Sequence, residues 1–282
     1  MWQSAREMDR KTKIFKDGIE ALRSIKPDDS KRLWSKLRLE WNYNSNHIKD
    51  NTITYDETEL PLISDKTKGD HNKREYDEMQ AHDVAIKMIQ ELAKAPEHPL
   101  TESFINKLNE IILVRPYWKE TFTPDGQNIR RKITIGVYKS FPNSVRLFND
   151  ERFYYATPEE TPAAMHDLMD WYNANLQLDA VELAAILHYK FVRIHPFDDG
   201  NGRVARLLMN YVLLKAGYPL VIIKLKDKAN YLTALRKADT GDINSFVQYI
   251  AEQLIWSCEI TVRAARGEKV DQDGALIRNF RY

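Results

Sequence analysis

The stretch RIHPFDDGNGRVARLLMN, from Arg193 to Asn210, decides how this chain folds. Pro196 has no backbone N–H and disfavours helical angles in the residue before it, so the apolar helix that arrives through Ile194 should end at His195. The two glycines of DDGNG can take positive φ angles and let a ligand approach the backbone closely. A second helix begins at once, from Arg203. The stretch therefore predicts two buried helices joined by a tight loop, with His195 at the end of the first.

The same loop has the chemistry of a phosphate site. The first N–H groups of the second helix are unpaired and carry partial positive charge, which favours an anion. Arg203 and Arg206 share a helix face and add guanidinium donors suited to phosphate oxygens. Asp198 or Asp199 is a candidate Mg²⁺ ligand, since Mg²⁺ prefers one or two carboxylates plus substrate phosphates. His195 can take a proton from a hydroxyl near neutral pH.

Each of these residues alone also has a structural explanation, as a helix cap, a turn former or a salt-bridge partner. The whole set lies within the segment 195–206, between two apolar helices. That concentration favours a site for metal-assisted transfer to or from a phosphate over separate structural roles.

The rest of the chain reads as mostly helical. Thr101, Asp179 and Asp242 stand where N-caps of helices are expected, each before an apolar stripe at helical spacing. One region, about 132–156, is rich in β-branched and aromatic residues around the turn sequence FPNS and predicts a single hairpin. We therefore expect an all-α fold with one small β-hairpin.

Composition limits the classes of partner. The 282 residues are 43% hydrophobic and carry 42 Lys and Arg against 41 Asp and Glu, a net charge of +1. This balance argues against bulk attraction to nucleic acid or to an anionic membrane. The start, MWQSAREMDRKTK, lacks the apolar run of a signal peptide, and no apolar stretch is long enough to span a bilayer. With Cys258 as the single cysteine, a reducing, cytoplasmic location is expected.

The segment 195–206 resembles, without a gap, the signature of the Fic (filamentation induced by cAMP) family. The matching positions are His195, Phe197, Asp199, Gly200, Asn201, Gly202, Arg203 and Arg206. The resemblance extends to the hairpin region and to the segments ATPEETPAAMHDLMDWYN and NYLTALRKADTGDINSFVQYI. It implies a Fic-like helical fold with a hairpin flap. The expected organisation is an N-terminal helical region at 1–98, a Fic core at 99–256 and a tail at 257–282.

The resemblance implies transfer of AMP from ATP to a Ser, Thr or Tyr hydroxyl of a target protein, with release of pyrophosphate. His195 would then be the general base and Asp199 the ligand of Mg²⁺ on the nucleotide phosphates. The phosphates would be held by Gly200, Asn201, Gly202, Arg203 and Arg206. Tyr231 and Asp239 fall where family members contact the adenosine, although the family often has Asn at the latter position. Ile133, Thr134, Ile135 and Gly136 would form the flap strand that positions the target segment by strand addition.

The N-terminal region departs from the family pattern. Many Fic proteins carry an inhibitory helix with the pattern Ser/Thr-x-x-x-Glu-Gly/Asn, and the segment at about 41–52 resembles it with Ser45 in place. Lys49 stands at the glutamate position, followed by Asp50. A lysine facing Arg206 would repel rather than clamp it. Inhibition is then lost, or Asp50 substitutes through a shifted register, or the segment serves another purpose. Weakened inhibition is the favoured interpretation, and it predicts that Lys49→Glu lowers automodification.

Other functions stay open from the sequence. A Fic-like site can transfer UMP or phosphocholine, can remove AMP from a modified target, or can bind nucleotide as a regulatory module without catalysis. No G-x-x-x-x-G-K-[ST] sequence occurs, which disfavours a P-loop kinase or ATPase. His188 lies near the same helical face as His195, which is compatible with a two-histidine metal site. A histidine packed in the core is the simpler interpretation of His188. Pairing into a homodimer is compatible with a helix-rich surface.

Overall fold

The computed structural model describes residues 2–49, 51–55, 57–58, 72–95, 97, 99–122, 127–146 and 152–268, with the side chains of 2–9, 122, 146 and 152 excepted. Over these ranges the chain forms nine α-helices, one 3₁₀ turn and two short hairpins. The helices are α1 (Trp2–Ser24), α2 (Pro27–His47), α3 (Lys73–Lys94), α4 (Glu102–Leu113), α5 (Thr161–Ala174), α6 (Ala180–Ile194), α7 (Asn201–Lys215), α8 (Lys228–Asp239) and α9 (Ile243–Ala265). The 3₁₀ turn is Leu225–Asp227. The predicted helical fold is confirmed.

The expected N-caps are present. The Thr101 side chain accepts from the Phe104 N–H, and Asp179 accepts from the N–H groups of the residues after it. Asp242 accepts from the Ser245 N–H at the start of α9. Because each cap satisfies donors that the first helical turn leaves unpaired, these residues fix where α4, α6 and α9 begin.

Helices α6 and α7 form the centre of the molecule. Twelve of the fifteen residues of α7 are buried, and α7 packs against α6, α3 and α4. The N-terminal helices join the same core, since Leu37 and Trp41 of α2 and Ile86 of α3 belong to one apolar cluster with the residues of α6 and α7. Helix α9 packs on α1, α8 and α6. The loop between α6 and α7 is therefore held from both sides by buried helices.

The strand prediction was partly wrong. Two hairpins are present: β1 (Tyr117–Phe122) pairs antiparallel with β2 (Asn128–Ile133), and β3 (Ser144–Arg146) with β4 (Arg152–Tyr154). Residues 132–156 thus hold one hairpin, but Ile133 pairs backwards with Tyr117 rather than forwards across FPNS. Residues 134–143 are not in a strand. Gly136 has a positive φ of 68°, which takes the chain out of extended geometry after β2.

The two expected domain limits, at 98/99 and 256/257, can be compared with the positions of the helices. The proposed limit between core and tail at 256/257 falls inside α9, which continues to Ala265. The division at 98/99 stays a prediction. None of the helices in the described part of the chain is long and apolar enough to cross a membrane.

Candidate active site

His195 lies where the sequence placed it, directly after α6. Its N–H donates to the Phe191 carbonyl at 3.0 Å, and its backbone is left-handed, with φ 53° and ψ 60°. The ring stacks on Tyr155, with centroids 4.3 Å apart and planes at 17°. Burial, with Lys139 adding to its effect and Asp199 opposing it, lowers the pKa of His195 to about 4. The imidazole is consequently uncharged at neutral pH and can accept a proton.

We call residues 195–202 the motif loop, a segment that runs from His195 to the second residue of α7. Phe197 is fully buried, and the Asn201 amide brackets its backbone: Oδ1 accepts from the Phe197 N–H at 2.9 Å and Nδ2 donates to its carbonyl at 2.8 Å. Gly200 has φ 85°, and a Cβ there would lie 3.0 Å from the Asn109 amide nitrogen. Asn201 therefore shapes the loop with its side chain, so that its predicted contribution to phosphate binding would come through its backbone N–H.

Gly202, the second glycine of the motif loop, lies close to the side chain of Arg206. A Cβ added at Gly202 would lie 3.3 Å from Nη1 of Arg206. The absence of a side chain at Gly202 thus leaves room for the Arg206 guanidinium across the first turn of α7.

The two acidic residues of the loop have different partners. Asp198 accepts from the Thr134 hydroxyl at 2.9 Å and from the Ser140 N–H at 3.3 Å, so it fastens the segment after β2. Asp199 is buried, and its Oδ2 accepts from Lys49 Nζ at 2.7 Å, Lys119 Nζ at 3.4 Å and the Tyr117 hydroxyl.

These contacts decide the charge of Asp199. Burial alone would raise the pKa of its carboxyl, but the ammonium groups of Lys49 and Lys119 hold that pKa well below its usual value. Burial lowers the pKa of Lys49 to about 8, with Arg203 adding to the effect and Asp199 opposing it. At neutral pH the two side chains therefore form an ion pair inside the site.

Asp199 fits a magnesium ion that arrives with phosphates. It offers an ionised carboxylate at the start of α7, and Mg²⁺ commonly uses one such group together with phosphate oxygens and water. Within the described ranges, no group of three His, Cys, Asp or Glu side chains is arranged to hold a metal without such help. The Oδ2 atom of Asp199 already carries Lys49, so a metal and Lys49 would compete for one oxygen.

Arg203 is almost completely buried. Its Nη1 donates to Glu78 Oε2 at 2.6 Å and to Asn46 Oδ1 at 3.4 Å. Glu78 also accepts from Arg74 Nε at 2.6 Å. The Nε and Nη2 atoms of Arg203 have no acceptor among the residues that the structure describes. Two buried donors without a partner fit an anionic ligand.

Arg206 contacts the end of α2. Its Nε donates to the Ser45 hydroxyl at 2.9 Å and its Nη2 to the Ser45 carbonyl at 2.8 Å. The inhibitory-like segment thus reaches the second motif arginine, but through Ser45 and not through residue 49, the position that the family pattern assigns to this contact. Lys49, however, does not face Arg206: its ammonium bonds Asp199 instead. The expected repulsion of Arg206 by Lys49 was wrong, and Asp50 lies outside the described residues.

The remaining predicted residues are dispersed. Tyr231 is buried, with its hydroxyl 3.0 Å from Nε2 of His188. Burial lowers the pKa of His188 to about 3, as a packed core histidine requires. Asp239 at the end of α8 pairs with Arg193 at 3.2 Å. Contact of Tyr231 or Asp239 with adenosine stays a prediction.

The predicted flap strand is only partly a strand. Ile133 ends β2 and is buried, whereas Thr134, Ile135 and Gly136 lie beyond it. The Gly136 N–H donates to Asn109 Oδ1 at 2.9 Å, and Asn109 Nδ2 donates to the Asp199 carbonyl at 2.8 Å. One buried amide of α4 thereby joins the flap to the motif loop.

Sequence reasoning missed several residues around His195 and Asp199. The sequence gives Lys139, Tyr155 and Asn109 no motif of their own, because their contacts come from distant parts of the chain. One signal in the sequence could have pointed to Lys139, which lies in the largely apolar segment GVYKSFP. A lysine that is buried needs a partner for its charge.

Comparisons with known proteins identify the family to which the chain is similar. The model of the Fic/DOC family matches residues 99–213. The protein adenylyltransferase fic-1 of Caenorhabditis elegans is 32% identical over 212 residues, which are 74% of this chain and 38% of that protein. The protein adenylyltransferase Fic of Nematostella vectensis is 31% identical over 211 residues, 74% of this chain and 45% of that protein. The chain thus spans less than half the length of these curated relatives.

Solved structures cover nearly the whole chain. The crystal structure of a Fic domain containing signaling protein from Bacteroides thetaiotaomicron is 44% identical, with a TM-score of 0.84, and the match covers 92% of this chain and 97% of that one. Fic-1 of C. elegans (residues 134–508) is 25% identical, with a TM-score of 0.75 over 94% of this chain and 74% of that one. With its motif intact and its helices superimposing on these structures, the chain belongs to the Fic family.

Proposed function

We propose that this protein is an adenylyltransferase that moves AMP from ATP to the hydroxyl of a Ser, Thr or Tyr side chain on a target protein. The observation that carries this proposal is the pairing of an uncharged imidazole with free anion-binding groups across one loop. His195 follows α6, and Arg203 in the first turn of α7 has two buried donors that find no acceptor within the described part of the chain. The names of the curated relatives support the same reaction.

In the proposed reaction His195 accepts the proton of the target hydroxyl. The hydroxyl oxygen forms a bond to the α-phosphorus, the bond between that phosphorus and the bridging oxygen to the β-phosphate breaks, and pyrophosphate leaves. The N–H groups at the start of α7 and the guanidinium of Arg203 stabilise the negative charge of the triphosphate. Such transfer depends chiefly on positioning and on charge stabilisation, which rigid helix ends supply.

Asp199 would hold Mg²⁺ in this reaction, and the ion would neutralise charge on the nucleotide phosphates. Gly200 and Gly202 leave the backbone open to those phosphates. Arg206 would take the far end of the triphosphate after its release from Ser45.

The end of α2 bears on regulation. Ser45 and Lys49 engage Arg206 and Asp199, two of the groups proposed to bind nucleotide and metal. We infer that this arrangement is a resting state that ATP must displace. Because Ser45 offers Arg206 neutral oxygen atoms only, the clamp is weaker than one made with a carboxylate.

The proposal predicts label transfer that depends on His195. The protein is incubated with Mg²⁺ and [α-³²P]ATP, and the His195→Ala variant is treated in the same way. We expect label on the protein itself or on an added lysate protein with the wild type, and at least about a hundredfold less with the variant, since a general base contributes that much or more. Gel autoradiography measures the label.

Two parallel reactions make the result specific. With [γ-³²P]ATP no label should transfer, because the γ-phosphate leaves in pyrophosphate. With [α-³²P]UTP, label that exceeds that from ATP would assign UMP transfer instead. Calorimetric binding of ATP without label from either nucleotide would contradict nucleotidyl transfer and leave AMP removal, phosphocholine transfer or the regulatory module.

Three further parts of the proposal come from the sequence. We place the protein in the cytoplasm, expect no nucleic-acid partner, and take a homodimer to be compatible with its helix-rich surface. Sedimentation equilibrium of the 33.0 kDa chain tests the last of these.

A further inference from the structure

Lys139 is a buried lysine that the proposed reaction does not yet use. It follows the flap segment, and 3% of its surface is exposed. Its Nζ donates to the carbonyls of Ile194 at 3.1 Å and His195 at 2.9 Å, and its backbone N–H donates to the Pro196 carbonyl at 2.8 Å. Removing an ammonium group from water is costly unless its hydrogens are satisfied, so a lysine this deep is held for a specific contact.

Lys139 contacts the backbone at the end of α6, where His195 has a left-handed conformation. His195 is one of two non-glycine residues with a positive φ among those described, and the left-handed region is unfavourable for a residue that carries a Cβ. The carbonyls at the end of α6 also lack helical N–H partners. The Lys139 ammonium satisfies two of these carbonyls, one of them on His195 itself, and so stabilises the strained conformation.

The charge of Lys139 acts on the ring as well. The groups that face His195 are the Tyr155 ring, the Lys139 ammonium, the Asp199 carboxylate and the Val192 carbonyl. Burial is the main cause of the lowered pKa of His195, and Lys139 adds to it while Asp199 and Val192 oppose it. Burial lowers the pKa of Lys139 itself to about 8, with Asp198 and Glu160 opposing, which leaves it charged at neutral pH.

We propose that Lys139 is a positioning residue for His195: its ammonium fixes the last carbonyls of α6, and with them the left-handed backbone from which the imidazole projects toward the acceptor hydroxyl. This inference rests on the proposed function for its catalytic meaning. Its physical content, a lysine that sets the geometry and the proton affinity of one imidazole, can be measured without any reaction.

The test compares Lys139→Met with Lys94→Met. Lys94 is an exposed lysine in the last turn of α3, so its replacement removes the same charge from another helix end. Selective ¹³C labelling of the seven histidines gives a titration curve for each ring, and His195→Ala assigns the curve of interest. In Lys139→Met the pKa of His195 should rise, whereas Lys94→Met should leave it unchanged. Lys139→Arg should return it toward the wild-type value because it keeps the charge.

Activity supplies the second readout. At pH 7.5 the ring is uncharged in every variant, so slower label transfer reports geometry rather than protonation. We expect Lys139→Met to lower kcat by about tenfold to a hundredfold, with KM for ATP within about twofold, as misplacement of a catalytic group does. If Lys139→Met does not fold, Lys139→Gln, which keeps an N–H donor and loses the charge, takes its place in both measurements.

The outcomes separate the two proposals. A His195 titration in Lys139→Met that matches the wild type, or one that shifts equally in Lys94→Met, overturns the role of Lys139. Absence of labelling in the wild type overturns the proposed function and leaves the titration test intact.

Discussion

The histidines of this chain differ in the burial and the hydrogen-bond partners of their rings. His195 is half-buried against Tyr155, whereas His82 and His188 are completely buried. His188 has a tyrosine hydroxyl at hydrogen-bond distance, but neither ring nitrogen of His82 has a partner among the described residues. Burial, with Arg203 and Arg206 adding to it, lowers the pKa of His82 well below 6.5.

This predicts that His82 makes the fold sensitive to acid. In the unfolded chain His82 binds a proton near pH 6.5, and in the folded chain it does not. Below pH 6.5 protons therefore stabilise the unfolded state, and the free energy of unfolding falls by about 1.4 kcal/mol for each pH unit. His82→Leu removes this dependence. Urea denaturation at pH 7.5, 6.0 and 5.0 should show the variant gaining on the wild type as the pH falls.

His166→Leu is the matched control for this measurement. The His166 side chain is 71% exposed, so its replacement removes one histidine ring from the surface instead of from the core. A constant difference for His82→Leu would show that the buried ring takes up its proton without unfolding the chain.

Among residues, the motif could be predicted and its partners could not. His195, Asp199, Arg203 and Arg206 lie within one short segment whose residue types and spacing already indicate their chemistry. Their partners come from far along the chain: Lys139 is 56 residues from His195, and Glu78 is 125 residues from Arg203. Such pairings depend on how helices pack, and a single sequence has no local pattern that records them.

At the level of elements, the end of α2 does more than its family pattern suggests. Residues 45–49, which are the end of α2 and the turn after it, reach Arg206, Arg203 and Asp199 and so contact most of the proposed nucleotide site. Among the residues of this segment that the structure describes, no acidic side chain contacts Arg206, and Lys49 contacts Asp199. An inhibitory segment of this kind would oppose the metal rather than the γ-phosphate.

Removal of the Lys49 ammonium should therefore favour metal-bound nucleotide. In Lys49→Met the Asp199 carboxylate keeps Lys119 and Tyr117 but loses its nearest cation. We expect Mg²⁺ with a non-hydrolysable ATP analogue to bind about tenfold more tightly, equivalent to about 1.4 kcal/mol. Isothermal titration calorimetry measures this binding, and the gain should vanish when EDTA replaces Mg²⁺.

Lys36→Met, within α2, supplies the comparison. Lys36 pairs with Glu40, within α2, so its loss changes the net charge equally without touching Asp199. Equal binding by the two variants, or weaker binding by Lys49→Met, would show that Lys49 does not compete with the metal. Because residue 49 faces Asp199, this substitution tests the segment more directly than Lys49→Glu.

Helices were easier to predict than strand pairing for a physical reason. A cap such as Asp179 acts on N–H groups two and three residues away, so the start of α6 is recorded locally. The partner of Ile133 is chosen between two neighbouring segments that both contain aromatic and β-branched residues. The left-handed turn at Gly136 separates Ile133 from the later segment. Residue types alone do not show whether Ile133 pairs with the earlier or the later of the two.

For the molecule as a whole, the main question is whether the N-terminal helices form a separate unit. The sequence suggested a division at 98/99, and the family model begins at residue 99. In the structure Leu37 of α2 and Leu208 of α7 belong to one buried cluster. Glu78 of α3 also supplies the carboxylate that pairs with Arg203. A core shared in this way favours a single cooperative unit over two domains in contact.

Two matched truncations test this, one in α2 and one in α7. Leu37 and Leu208 are both fully buried, so Leu37→Ala and Leu208→Ala should each destabilise the fold by about 2–5 kcal/mol through lost burial and a cavity. Calorimetry should show one transition, shifted to lower temperature by either variant, while the exposed Leu176→Ala leaves it in place. If instead two transitions appear and each variant moves a different one, the helices before residue 99 are an independent domain. The resting contacts of Ser45 and Lys49 would then form between domains, and ATP could release them by domain separation without disturbing the core.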